Sequence, residues 1–259
     1  MNILLNGISG HMGKEVAALC QAGYRGVRLA MGVDPNSDGN EAVAVYSSFD
    51  EIDTVADVDA IVDFSHHSCV GALLDFAVAK NIPTVIATTG HTPEEAERIR
   101  LAAEKIPVFF SANMSLGVAL LVELAKNAAA AMPEAEIEII EKHHDRKIDA
   151  PSGTALMIAD ALCEVRPEAY YNLGRSGHGK RTKEEIGIHA LRMGNVVGEH
   201  EVILATQNQT ITLKHEAHSR ALFAEGALAA ASYLVGAKAG LFDMKSLVGG
   251  KKKSEALTH

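Results

Sequence analysis

From the N-terminus the chain alternates short apolar runs with stretches of helical spacing. NILLNG is followed by a helical pattern over residues 14–22, and VRLAMGVD comes next. DAIVDFS precedes a helix over 71–80, PTVIATTG precedes a charged helix over 93–104, and PVFFSANMS closes the series. Continuously apolar runs of this length, separated by helices, predict βαβ units whose strands are covered on both faces. The first part is therefore expected to be a doubly wound parallel α/β sheet.

Beyond it the pattern changes. EAEIEIIEKHH alternates at first, and EIGIHALR, VVGEHEVILATQ and QTITLKHEA read as strands grouped around one helix at 154–164. That grouping predicts an α+β domain with an antiparallel or mixed sheet. SRALFAEGALAAASYLVGAKAG returns to helical spacing. The expected organisation is 1–114 for the first domain, 115–223 for the second, and 224–259 as a segment returning to the first. GRSGHGKRT, from Gly174, reads as a mobile loop, with Arg175 a candidate for reaching a neighbouring subunit, and the lysines at 251–253 read as a solvated tail.

Composition narrows the field. With 259 residues and 47% hydrophobic content the chain can bury a sizeable core, and a formal net charge of -9 argues against a general basic grip on nucleic acid. No apolar run suits a membrane span, and MNILLNG is not a signal segment. Cys20, Cys69 and Cys163 are widely spaced, which suggests neither a disulfide framework nor a CxxC metal site. A cytoplasmic location is the expectation.

Strand NILLN runs into GISGHMG, with glycines at 7, 10 and 13, and then a helix. A tight turn, a close backbone approach and amides at a helix start are what a dinucleotide pyrophosphate needs, so the first domain is expected to be Rossmann-like. Asp34 ends the second strand about 20 residues on, where an acidic side chain accepts from ribose hydroxyls. Pro35 and Asn36 supply no cation for a phosphorylated ribose, which favours NADH over NADPH, although Lys14 and Arg25 stand within possible reach. Thr88, Thr89 and Gly90 at another strand end are expected on the nicotinamide side, with Thr92 also a good cap for the helix opening at Pro93. His66 and His67 receive no role.

In HHDRKIDAPSGTA, Ser152 can cap a helix opening at Gly153, aiming the amides of Gly153 and Thr154 at one spot together with the positive end of the helix dipole. That is a carboxylate site, with Lys147 just before it as a point charge. His143 and His144, adjacent at a strand end, would face opposite sides if extended. Histidine titrates near neutrality and can give a proton beside a hydride transfer, and Lys147 competes for that role. The residues describe a reductase for a small carboxylated compound. A zinc hydrolase using the histidine pair, and a catalytically idle NAD-binding redox sensor, are the rival readings; no HxxxH spacing or cysteine pair supports the metal, so no metal site is assigned.

At EKHHDRKIDAPSGTA the chain resembles the 4-hydroxy-tetrahydrodipicolinate reductase (dihydrodipicolinate reductase) family of bacterial diaminopimelate and lysine biosynthesis. The resemblance continues through GISGHMG, VDFS, ATTG, SANMSLGV, EIGIHALRMGNVVGEHEV and HEAHSRALFAEGALAA, and so covers nearly the whole chain. It implies a cytoplasmic homotetramer that binds NAD(P)H in its first domain and a small dicarboxylate in the second, where the tetramer is also built. Carried over by motif, His143 and Lys147 are the catalytic residues, and His144, Gly153 and Thr154 the substrate contacts. Gly7, Ile8, Ser9, Gly10, His11, Met12, Asp34, Ala87, Thr88, Thr89, Ser111, Ala112, Asn113 and Met114 would hold the cofactor. The chain departs from the family at His11, where arginine is common, at Pro35, where NADPH-preferring members carry a basic residue, and at Met114, where phenylalanine is common. VDFSHHS also lacks a proline often found soon after its serine.

Overall fold

A computed structural model describes residues 1–249 and divides the chain into two compact units. One comprises residues 1–116 together with residues 220–249, the other residues 117–219. The joints between the two units fall after 116 and 219. The lysine run at 251–253 lies outside the described residues.

In the first unit, β1 (Asn2–Asn6), β2 (Arg28–Val33), β3 (Val45–Tyr46), β4 (Ala60–Asp63), β5 (Thr84–Ile86), β6 (Pro107–Phe110) and β12 (Gly240–Phe242) form one sheet in the order β12-β6-β5-β4-β1-β2-β3. Every pairing is parallel. Ile3, Leu4 and Leu5 are all fully buried, which requires helices on both faces of β1 and explains why no polar residue alternates with them. Those helices are α1 (His11–Gln21), α2 (Val70–Lys80), α3 (Pro93–Ala103) and α6 (Ala221–Leu234). In α2, Val70, Leu73, Leu74 and Ala77 make the buried stripe at helical spacing. α3 starts on a capping box: Glu95 N–H donates to Thr92 Oγ1 at 3.2 Å and Thr92 N–H to Glu95 Oε2 at 2.8 Å. A short α7 (Met244–Val248) follows β12.

The second unit carries α4 (Leu116–Ala131), β7 (Glu136–His143), α5 (Gly153–Val165), β8 (Tyr170–Leu173), β9 (Glu185–Arg192), β10 (Gly198–Ala205) and β11 (Thr210–Ala217), α4 opening on the last residue of the first unit. Its sheet has the order β11-β10-β7-β9-β8. β7, β8 and β9 run parallel to one another and β10 is antiparallel to both β7 and β11, so the sheet is mixed. Ile137, Ile139, Ile186, Ile188, Val202 and Leu204 pack with Leu121, Val122 and Ala125 of α4 and Ile158 and Leu162 of α5. Each such side chain contributes about 1.5–3 kcal/mol on burial, and truncating fully buried Ile139 to alanine would cost about 2–5 kcal/mol.

Two of these elements escape the hydrophobic pattern. α4 is apolar nearly all round, with Leu120 and Leu124 exposed opposite its buried stripe, so the polar face that marks a helix is missing. β8 is only half-buried and short. Arg175, the candidate for a neighbouring subunit, makes ion pairs within its own chain. Its guanidinium meets Glu138 at 2.9 Å and also Glu185, which pins the 174–182 connection to the sheet.

Candidate active site

The candidate nucleotide site, in the first unit, is built mainly from backbone. β1 ends in a turn at Gly7, whose φ of +82° suits glycine, and a side chain there would strike the Phe64 carbonyl. A Cβ on Gly13 would sit 2.1 Å from the Gly7 oxygen, so that glycine lets α1 close onto the turn. α1 begins at His11, three residues before the expected start, and its Gly10 N-cap supplies no side-chain bond to the first amides. Those amides and the dipole behind them suit a pyrophosphate.

The other predicted cofactor residues gather at the same carboxyl edge, following β1, β2, β5 and β6. Asp34 is buried, its Oδ2 accepting the Ser9 amide at 3.0 Å and its Oδ1 the Asn36 amide at 2.9 Å. Ala87 N–H donates to the Asp63 carbonyl, and Thr88 Oγ1 donates to the Asp63 carboxylate at 3.2 Å. Ser111 Oγ bonds the Asn113 carbonyl at 2.8 Å, and Ser115 N–H donates to Asn113 Oδ1 at 2.9 Å, fixing the 111–115 turn. Met114 is buried. A cavity of about 660 Å³ is bordered by Asn6, Val33, Pro35, Cys69 and Phe76. Arg25 is turned aside, its guanidinium over the Tyr24 ring.

One residue here was not visible in the pattern. Glu41, in the β2–β3 connection, accepts from Ser9 Oγ at 2.8 Å and from Ser37 Oγ at 2.7 Å. It places a second carboxylate beside Ser9, next to that of Asp34.

A second cluster, in the other unit, is built from side chains. Ser152 caps α5 as expected, accepting the Ala155 amide at 3.2 Å. Gly153 is exposed, with nothing within 4 Å of where a Cβ would stand, so the helix start is open to a ligand. Lys147 Nζ pairs with Asp149 Oδ1 at 2.8 Å, and that bond holds the Asp149 carboxyl below its usual range. β7 ends at His143, and His144 lies in the turn beyond it, accepting the Lys147 amide on its carbonyl. The two histidines are thus separated by the end of the strand and not by strand alternation.

Glu141, Arg192 and His200 complete this cluster, and none was singled out from the sequence. Glu141 is fully buried. Its Oε2 lies 2.6 Å from His143 Nδ1 and its Oε1 accepts the Ser152 amide at 3.0 Å. Arg192 donates to both oxygens, at 2.8 and 2.7 Å. Burial pushes the Glu141 carboxyl up, but the bonds from His143, Arg192 and the Ser152 amide outweigh it and bring the pKa down to about 2. His200 Nε2 meets Ser152 Oγ at 3.0 Å, and the His200 ring stands edge-on to His143 at 5.2 Å. Desolvation, with the neighbouring His143, pushes His200 down to about 4, so it is neutral at physiological pH. A signal for Glu141 existed: Ile137, Ile139, Glu141 and His143 share one face of β7, and a carboxylate continuing an apolar face must find a buried partner.

A glycine-turn nucleotide site on a parallel sheet, accompanied by a mixed-sheet unit presenting a histidine, a lysine and an open helix start, defines a nicotinamide-dependent oxidoreductase of two-unit design. Comparison with known proteins gives the family. Residues 1–114 match the family model described as dihydrodipicolinate reductase, N-terminus, and residues 117–248 the one described as dihydrodipicolinate reductase, C-terminus. The chain belongs to the dihydrodipicolinate reductase family. It is 46% identical over 250 residues to a 4-hydroxy-tetrahydrodipicolinate reductase from Caldanaerobacter subterraneus subsp. tengcongensis, covering 96% of this chain and 98% of that one. A relative of the same name from Clostridium novyi is 40% identical over 251 residues, with coverage of 96% and 98%. Among solved structures, a dipicolinate-bound dihydrodipicolinate reductase from Paenisporosarcina sp. TG-14 superposes with a TM-score of 0.78 at 26% identity, covering 94% of this chain and 97% of that one.

Proposed function

We propose that the chain reduces 4-hydroxy-tetrahydrodipicolinate to tetrahydrodipicolinate with loss of water, the reductase step of diaminopimelate and lysine biosynthesis. The observation that carries this reading is the gathering of His143, Lys147 and the open start of α5 in a chain alike over nearly its full length to reductases of that name. The nicotinamide cofactor supplies the hydride; the chain's residues supply binding and the proton. Gly153 and Thr154 amides take one substrate carboxylate. Lys147, the second catalytic residue, exchanges Asp149 for substrate negative charge, His144 contacts the substrate, and His143 carries the proton.

The preferred cofactor is NADH, held through residues 7–12, Asp34, 87–89 and 111–114. Asp34 and Glu41 flank Ser9 at the strand end where a ribose is bound in such folds, and a 2'-phosphate would meet like charge there. The proposed assembly is a homotetramer in the cytoplasm. Half-buried Ile140 and Ile203, on the sheet face turned away from α4 and α5, support a further copy of the chain packing there. No helix among the described residues is long and apolar enough to cross a membrane.

An assay with substrate made in situ, run with each nucleotide, tests both the reaction and the cofactor. His143→Ala and Lys147→Ala are each expected to lower kcat/KM by about 10²-fold or more while leaving NADH affinity, read by fluorescence, within about twofold. Normal turnover in both variants would overturn the site. A lower KM for NADPH than for NADH would overturn the cofactor preference.

A further inference from the structure

Glu141 has no role in the reaction described so far, yet its buried carboxylate bonds to His143, to the Ser152 amide and twice to Arg192. It lies two residues before His143 on the same face of β7, and Arg192 stands opposite His143 in the β7–β9 register. The sheet therefore sets the spacing of all three groups.

We propose that Glu141 is the positioning residue of the reaction: it holds the His143 ring with its proton on Nδ1, and it ties that ring to the amide that opens the substrate-binding helix. The proposal rests on the reading of His143 as proton carrier. It adds which nitrogen does the work. An ionised carboxylate only accepts, so the His143 nitrogen 2.6 Å from Oε2 carries hydrogen in both the neutral and the charged ring. Nε2 is then the nitrogen that gains and loses the proton. A pKa of about 2 keeps Glu141 in that accepting state across the physiological range.

The other oxygen extends the arrangement. Glu141 Oε1 accepts the Ser152 amide, one residue before the Gly153 and Thr154 amides assigned to a substrate carboxylate. One carboxylate thus fixes both the proton carrier and the start of the anion cradle. Arg192 keeps it ionised and stationary through two bonds, while its NH2 also donates to the Asp149 carbonyl at 2.6 Å. Gly198 borders Nε2: a Cβ there would lie 3.0 Å away, so that edge of the ring meets no side chain from position 198.

Two measurements test this. In the wild-type enzyme labelled with ¹⁵N-histidine, two-bond ¹H–¹⁵N correlation spectra are expected to show neutral His143 as the Nδ1–H tautomer; a neutral ring protonated on Nε2 overturns the proposal. Kinetics of Glu141→Gln and of the charge-balanced pair Glu141→Gln with Arg192→Gln then separate positioning from structure. The pair leaves no unmatched buried charge. If Glu141 positions His143, the pair still loses about 10²-fold or more in kcat, with the KM for substrate and the affinity for NADH within about threefold. Recovery of wild-type kcat in the pair would reduce Glu141 to a partner of Arg192 and overturn the proposal. The tautomer is read without turnover, so activity retained by His143→Ala would overturn the proton-carrier reading while leaving the spectroscopic result to be judged separately.

Discussion

Asp63 and Glu141 are both buried carboxylates near the carboxyl end of a central strand, one in each unit, yet they titrate in opposite directions. Asp63 is 1% exposed and accepts only from neutral groups: Asn6 Nδ2 at 2.8 Å, Ser65 N–H at 3.2 Å, Ser65 Oγ at 2.6 Å and Thr88 Oγ1 at 3.2 Å. Burial raises its pKa, and these donors only partly offset it. Glu141 suffers the same desolvation but faces Arg192 and His143, and its pKa falls to about 2. Burial alone therefore does not set the charge of a carboxylate; the charge of its partners does. Where a loop has only to be held, neutral donors suffice, and where a fixed anion must orient an imidazole, an arginine stands behind it.

The contrast can be broken most directly by substitution. Glu141→Ala leaves the Arg192 guanidinium without its partner and is expected to cost about 3–5 kcal/mol, read from the denaturant midpoint. Asp63→Asn keeps the shape and loses no ion pair, so it should cost less than Glu141→Ala by at least about 2 kcal/mol. Equal losses would show that the two carboxylates are held alike.

Acid titration sharpens it next. His200 is depressed from 6.5 to about 4 in the folded chain, so the unfolded chain takes up its proton first as pH falls. Stability from this group is present above about pH 6.5 and is lost between there and about 4, a change of about 3 kcal/mol. The Glu141 contribution, from a depressed carboxylate, is present above about pH 4.3 and is lost as pH falls towards about 2. The raised Asp63 acts oppositely, its contribution diminishing as pH rises through the carboxylate range. Thermal melts should therefore weaken from pH 6.5 to 4, and His200→Gln should flatten that slope; an unchanged slope in the variant would reassign the effect.

Ser152→Ala has a smaller effect. It removes the cap on α5 and the partner of His200 Nε2, at an expected cost of about 1 kcal/mol. Substrate affinity should fall with it while NADH affinity stays unchanged, which calorimetric titration with dipicolinate and with NADH can separate.

Much of this architecture was legible. GISGHMG and the cap at Ser152 are local motifs, Asp34 is legible from its spacing after the glycine turn although it meets Ser9 25 residues away, and the parallel sheet follows from apolar runs that no polar residue interrupts. Arg192 and His200 stand 51 and 59 residues after Glu141 in the chain and meet it only through the register β9-β7-β10, which no short window contains. Glu41 was hidden for the reverse reason: it lies close to Asp34 but in a connection without periodicity, so only the folded loop brings it to Ser9. α4 was missed because its exposed leucines erase the contrast on which helix recognition depends.

Gly198 stands beside the His143 ring with no side chain of its own. A methyl group there would press on His143 Nε2 from 3.0 Å, a contact that a strand or a ring relieves only by shifting a few tenths of an ångström. Every ionisable group would remain, and only the placement of the imidazole would change. Position 198 is thus a dial for engineering: alanine would displace the proton carrier by a fraction of a bond length and report how much of the rate depends on where that nitrogen stands.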